Sequence, residues 1–360
     1  MGLIRFYLAL SVTLYHCSVQ GSIIAGPFAV QMFFVISGFY MALVLNEKYT
    51  ERSPYRFYLA RLLRLWPAYI VVLSAVLLYR GIQHPDVGII EAIYFYGSAL
   101  TLIAHETLWW FKPNGDGTLQ LMRELPPFSP HLSRMTYMQH MWSVGIEIAF
   151  YALAPLFARR PKIIALLLVP AFAFHVWALD LHHTDPIRVR NAAYYFWLFL
   201  LGCFAYWAWG ATRQYLEMIR PPAWAISGVG LLIAGFCIAL HQPRLFPGNA
   251  YVREDFALLL FAVAIVPIFH FTRHATIDRS IGELSYPIYV VHWPLVPFIM
   301  TGQANDYWRA SLLVTVTLLA AVALRVVVEQ PIEKIRGAQL DTLLRRNRLN
   351  DREVEDKSFG

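Results

Sequence analysis

Arg5 and His16 stand eleven residues apart in an otherwise apolar run near the start of the chain. At about 100° and 1.5 Å per residue, an α-helix puts them on nearly one face, roughly 16 Å apart along its axis. A guanidinium presents a planar fork of donors that fits phosphate, and an imidazole accepts a proton from a hydroxyl near neutral pH. The pair therefore suits an anionic carrier with a long reactive arm. The plainer alternative is an anchoring arginine at the membrane surface and a hydrogen-bonded core histidine.

Five more positions carry charge or titrate inside or beside apolar segments. Arg61 and Arg64, in Arg61-Leu62-Leu63-Arg64, are one helical turn apart and can face the same anion. Glu147 lies mid-segment in Trp142-Ser143-Val144-Gly145-Ile146-Glu147, where a carboxylate must be neutral, paired with a cation or exposed to a wet cavity. His292 sits between Pro287 and Pro294, which leave backbone carbonyls in need of partners. Glu329 closes the last apolar segment, within expected reach of Arg61 or Arg64. Each such group costs roughly 2.5–3.5 kcal/mol in hydrocarbon on insertion scales, so each calls for a partner or a function.

The elements that hold them are membrane spans. Hydrophobic residues make up 58% of the 360, charged residues only 15%, and mean hydropathy is +0.48. Lipid is the natural solvent for such a chain. Apolar runs predict ten transmembrane helices at Leu3–Val19, Phe28–Leu45, Leu62–Tyr79, Tyr137–Phe157, Ile163–Leu179, Ala192–Trp209, Ala223–Leu240, Phe256–Phe271, Leu284–Met300 and Trp308–Val328. Val87–Ala104 is an eleventh candidate.

Loop charge decides whether that candidate crosses, because cytoplasmic loops accumulate Lys and Arg and the side switches at each crossing. If it does not cross, 21 of the 30 basic residues fall on the cytoplasmic face. A crossing would flip Arg159-Arg160-Pro161-Lys162 outward. Ten spans with both termini cytoplasmic are therefore expected, with residues 81–136 forming an outer excursion that contains a re-entrant or interfacial helix. Residues 1–335 read as one all-α membrane domain, and 336–360 as a basic, partly amphipathic tail with a disordered end. The net charge of +7 is spread over these loops and implies no nucleic acid. Cys17, Cys203 and Cys237 all lie in apolar segments, and neither a disulfide framework nor a metal site follows from them.

Five blocks in order make the chain resemble the membrane-bound acyltransferases that O-acylate bacterial surface sugars. They are Arg5 to His16, Phe33-Phe34-Val35-Ile36-Ser37-Gly38-Phe39, Arg61-Leu62-Leu63-Arg64, Trp142-Ser143 through Glu147 to Phe150-Tyr151, and Leu284-Ser285-Tyr286-Pro287-Ile288-Tyr289 reaching His292. The resemblance spans nearly the whole chain. Ile148-Ala149 departs from the acidic and amide residues common after the Glu, and Phe6-Tyr7 from the Gly-Leu common after the Arg.

The resemblance implies a multi-pass protein of the bacterial cytoplasmic membrane. It would transfer an acyl group, foremost acetyl, from acyl-CoA to a hydroxyl of a polysaccharide, a lipid-linked glycan or a similar saccharide. No permanently bound cofactor is implied. His16 is the implied catalytic base, Arg5, Arg61 and Arg64 bind the donor, and Glu147 belongs in the active site, where it is expected to orient the imidazole. Ser37, Ser143, Trp142, Tyr286 and His292 are candidates for oxyanion or acceptor contacts. Direct transfer and an acyl-enzyme on His16 or Ser37 both remain open. Relatives with an appended esterase-like domain are longer, so acceptor recognition is expected from the membrane domain or from a partner, either a polysaccharide-assembly protein or a second copy of the chain. The rival class is a proton-coupled transporter of a polar solute or lipid-linked sugar, which also uses intramembrane His and Glu. It should show inverted repeats, and no counterpart of the Arg61-Arg64 helix is visible in the other half.

Overall fold

In the computed structural model, described for residues 1–17, 24–49, 54–125, 130–219, 249–300 and 307–335, nearly every apolar run is a helix. Backbone donors and acceptors have no water to bond in hydrocarbon, so an apolar run must satisfy them internally. The helices are α1 Gly2–His16, α2 Gly26–Glu47, α3 Tyr55–Arg80, α4 Ile89–Thr101, α5 Trp142–Phe157, α6 Pro161–Ala178, the one-turn α7 Pro186–Val189, α8 Ala192–Met218, α9 Ala250–Thr272, α10 Thr276–Glu283, α11 Ser285–Ile299 and α12 Tyr307–Leu324. A π-helical turn, Arg325–Glu329, continues α12.

Among the described residues, seven helical stretches are long and apolar enough to cross a membrane. The chain is thus an all-α multi-pass membrane protein. The predicted span Ala223–Leu240 and the tail 336–360 lie outside the described residues. Two predicted spans are shorter than expected: α1 and α11 have 15 residues each, about 22 Å at 1.5 Å per residue against a hydrocarbon core of about 30 Å. Pro294 and Pro297 interrupt the end of α11 by removing two backbone donors. The predicted span from Tyr137 begins as a helix only at Trp142, after a left-handed Tyr137 and a 3-10 turn at Gln139–Met141.

The eleventh candidate is α4, whose 13 residues cover about 20 Å and cannot bridge the core. Its far end meets the middle of α3, where Trp66 Nε1 donates to the Leu100 carbonyl at 2.8 Å and the Tyr69 hydroxyl bonds the Ala99 carbonyl. Left-handed Leu102 and Ala104 then reverse the chain. A two-stranded antiparallel hairpin follows, Phe111–Pro113 with Leu119–Leu121. It was not expected, although Asn114-Gly115-Asp116-Gly117 is a hairpin-turn sequence and Gly117 takes φ +85°.

Packing is centred on α2 and α8. Gly38 and Gly202 let these helices touch: a Cβ at Gly38 would lie 2.1 Å from the Phe199 carbonyl oxygen, and one at Gly202 would lie 2.0 Å from that of Val35. The Ser37-Gly38 step is therefore a close-approach device of the kind that replaces the missing hydrophobic drive between helices in lipid. On the other flank α1 packs against α2, α10 and α11, and α11 packs against α3 and α12. Asp278 of α10 caps α1, accepting from the backbone N–H of Gly2 at 2.7 Å and of Leu3 at 2.9 Å. The result is that α1 and α11 lie side by side at the heart of the bundle.

Candidate active site

The expectation that Arg5 and His16 share a face holds, and the surface they face is α11. Arg5 Nη2 donates to Ser285 Oγ at 2.8 Å at the start of α11. Further along, the His16 ring stacks on His292, centroids 5.5 Å apart at 22°, and meets Trp293 edge-on at 4.6 Å. The same helix pair thus carries a cationic end and an imidazole end.

At the cationic end is a cavity of about 480 Å³ lined by Arg5, Arg61 and Arg64 together with Ser37, Ser143, Glu147, Tyr286 and Tyr289. Arg273, Arg279 and Arg325 also line it, and so do Asp278, Glu283, Glu329 and Glu333. Most of this acidic charge is already committed. Glu283, Glu329 and Glu333 surround Arg325 at 2.5, 3.4 and 2.8 Å, and Asp278 caps α1. Glu329 therefore meets Arg325, where the sequence pointed to Arg61 or Arg64. Arg5, Arg61, Arg64 and Arg279 are left to face an incoming anion. Arg61 lies against the Phe57 and Tyr151 rings, 5.6 and 5.7 Å from their centroids, and its buried Nε has no hydrogen-bond partner.

Glu147 sits at the deep end of this cavity, on α5. Its Oε1 accepts from both the Ser37 and the Tyr151 hydroxyls. The expected link to the His16 imidazole is not made in this structure, and the carboxylate instead organises the cavity wall. Tyr286 donates to the Leu65 carbonyl at 2.7 Å and so pins α11 to the arginine-bearing α3.

Beyond the cavity, Tyr289 connects the two ends. Its hydroxyl shares a hydrogen bond of 2.7 Å with Ser143 Oγ and donates to the His140 carbonyl, also at 2.7 Å. Its ring lies 5.5 Å from His292 and 5.4 Å from His140, and the His140 and His292 rings are 5.0 Å apart. His292 Nδ1 lies 2.7 Å from the Tyr289 carbonyl. Only a protonated Nδ1 can make that bond, so Nε2 of the neutral ring keeps its lone pair, and this atom is buried without a partner. Neither His140 nitrogen meets a partner of hydrogen-bond geometry. Unsatisfied buried nitrogens cost about 1–3 kcal/mol each and are the kind of group a ligand hydroxyl can satisfy.

Trp142 is placed away from the cavity, beneath Arg190, whose guanidinium lies 4.2 Å from its ring and 4.5 Å from that of Trp109. His140, Trp293 and Arg190 were not singled out from sequence, and Tyr151 was given only as the end of the Trp142–Tyr151 block, without a role. His140 could have been, as a polar residue two positions before Trp142 in an apolar stretch. The others read as ordinary aromatic or loop-charge positions.

A second carboxyl stands close by. Glu106, on the 3-10 turn His105–Trp109, is 6% exposed, has a partnerless Oε2, and is pushed up to about 7 by burial. The unfolded chain releases this proton near 4.5 while the fold retains it, so stability should fall as pH rises from about 4.5 to 7 and stay lowered above that. Glu106→Gln is expected to remove that slope, raising stability by about 3 kcal/mol at pH 8 and hardly at pH 4. Thermal unfolding in detergent across this range checks it; a mutant with the wild-type slope would refute the assignment.

The chain is 26% identical over 361 residues to the O-acetyltransferase OatA of Staphylococcus aureus, covering 92% of this chain and 56% of that protein. It is 24% identical to the peptidoglycan O-acetyltransferase OatA of Listeria monocytogenes, with 92% and 55% covered, and 25% identical to the putative peptidoglycan O-acetyltransferase YrhL of Bacillus subtilis, with 91% and 54% covered. The chain thus spans little more than half the length of these relatives. No solved structure matches it. The acyltransferase domain family matches residues 1–328, the stretch that carries the cavity's arginines and the histidine cluster, and the chain belongs to that family.

Proposed function

We propose that the protein transfers an acetyl group from acetyl-CoA to a hydroxyl of a saccharide, within a bacterial cytoplasmic membrane that it crosses ten times with both termini inside. The observation that carries this reading is the pairing, along one helix face, of a cavity rich in uncommitted arginine with a cluster of buried imidazoles. The phosphates of the donor dock on Arg5, Arg61 and Arg64, and its thin pantetheine arm follows the α1–α11 seam past Glu147 toward Tyr289.

His16 then takes the proton of the acceptor hydroxyl as its oxygen attacks the thioester carbonyl. The C–S bond breaks, and the proton passes to the CoA thiolate, leaving an ester and CoA. Ser143, whose hydroxyl donates to Tyr289 while Tyr289 donates to the His140 carbonyl, is the group best situated to turn its proton to the oxyanion. The O-acetyltransferase names of the relatives support a saccharide acceptor. The test is to incubate purified protein with labelled acetyl-CoA and glycan acceptors. Label should appear in alkali-labile esters, and solute transport without thioester cleavage would overturn the reading.

Arg64→Ala should act on donor capture alone. Losing one charge-assisted contact to phosphate, about 1.5–3 kcal/mol, raises KM for acetyl-CoA roughly 10–100-fold while kcat stays within about threefold. Steady-state kinetics separate the two constants. An unchanged KM would remove Arg64 from the donor site.

A further inference from the structure

A second cavity, about 790 Å³, opens between α3, α11 and α12. Its walls are apolar along most of their length, with Val71, Ala75 and Val76 on α3 facing Ala320 and Ala323 on α12 and Val327 on the π-helical turn that follows. Pro294 and Pro297 shape the third wall where α11 loses its regular backbone bonding. Polar groups gather at one end only, where Arg80, Gln83, Arg134 and Gln139 meet, and no acidic side chain lines the groove. Arg80 is stacked there on Tyr137 and Phe298, 5.3 Å from each ring centroid. This end is the one nearer the histidines. Trp293 borders the groove and also meets the His16 ring at 4.6 Å, and Gln139 immediately precedes His140.

We propose that this groove holds the hydrocarbon chain of a phosphate-bearing glycolipid, with its phosphate on Arg80 and Arg134 and its saccharide lying over Trp293 beside His16. The inference rests on the acyl-transfer reading and gives its acceptor a class: a lipid-linked saccharide that enters sideways from the bilayer. Three features fit this occupant. An apolar trough lets a chain leave the bilayer without a solvation penalty. A cationic cap at one end selects an anionic headgroup in a medium where each such contact is strong. Trp293 gives the apolar face of a sugar ring a surface to stack on, next to the proposed base.

The experiment uses the full chain in detergent and lipid nanodiscs with a short-chain polyprenyl diphosphate disaccharide as probe. Native mass spectrometry reads retention, and labelled acetyl-CoA reads transfer both to this probe and to the same disaccharide without lipid. The variants are Ala75→Trp, which fills the groove from an exposed position, and Arg80→Ala with Arg134→Ala. Both should lower retention and transfer to the lipid-linked probe at least tenfold and leave transfer to the free disaccharide within about twofold. Wild-type retention in both variants would overturn the inference, as would equal retention of phosphatidylglycerol by the wild-type protein. Selective retention without any transfer would uphold the lipid site and overturn the acyl-transfer reading instead.

Discussion

His16→Ala is expected to lower acetyl transfer by 10²–10⁴-fold, the usual contribution of a positioned general base, while donor KM changes little. His16 does not line the donor cavity, and Arg5, Arg61 and Arg64 lie at the other end of α1 and α11. Its ring packs by edge and face on Trp293 and His292 at the surface of the cluster and is only half-buried, so truncation leaves the helix seam intact. Both neighbouring histidines are more deeply buried than His16. His292 keeps a lone pair on Nε2 while its Nδ1 bonds the Tyr289 carbonyl, and His140 is set behind Tyr289 and His292, so the two sustain only the residual rate. Transfer assayed on protein that elutes as a single species from size exclusion checks this expectation, and activity within threefold of wild type would eliminate His16 as the base.

Glu147→Gln should be nearly as damaging, for a different reason. One carboxylate oxygen accepts two hydroxyl hydrogens, from Ser37 on α2 and Tyr151 one turn along α5. A glutamine can keep its oxygen there, with its amide nitrogen in place of the second carboxylate oxygen. The larger change is electrostatic. Asp278, Glu283, Glu329 and Glu333 are occupied elsewhere, so Glu147 is the carboxylate that offsets Arg5, Arg61 and Arg64 at the deep end of the cavity. Removing it sets three guanidinium groups against one another in a low-dielectric space. Turnover should fall about 10²–10³-fold with a smaller change in donor affinity, because added positive charge attracts the phosphates while the arm beyond them loses its alignment. Glu147→Asp should recover part of the loss. Equal activity in Glu147→Gln and wild type would contradict this role.

The features that were legible in the sequence are those that depend on local periodicity. The Arg5–His16 spacing already gives a shared face, and the Arg61–Arg64 turn gives two cations on one cavity, because both follow from the helical repeat alone. What surrounds them depends on how helices distant in sequence meet. Glu147 looked toward the imidazole because only its depth in the membrane could be read; its partner Ser37 emerges from the contact of α2 with α5, beside Tyr151 one turn along the same helix. His140 was hidden because the run from Tyr137 reads as an unbroken span, whereas a left-handed Tyr137 and a 3-10 turn swing this histidine onto Tyr289 and His292. The reversal at Leu102 and Ala104 was equally out of reach, since neither residue favours positive φ and tertiary packing imposes it.

The central claim is that one polar path joins the arginine-lined cavity to the histidine cluster, and that the donor lies along it. The most direct measurement is an experimental density map of the protein with a thioether analogue of acetyl-CoA that cannot be cleaved. Phosphate density is expected within hydrogen-bond reach of Arg5, Arg61 and Arg64, with the arm running past Glu147 and the thioether at the Ser143–Tyr289 junction on the side of His16. Phosphates bound away from those arginines, or an arm that leaves the α1–α11 seam before Tyr289, would contradict it.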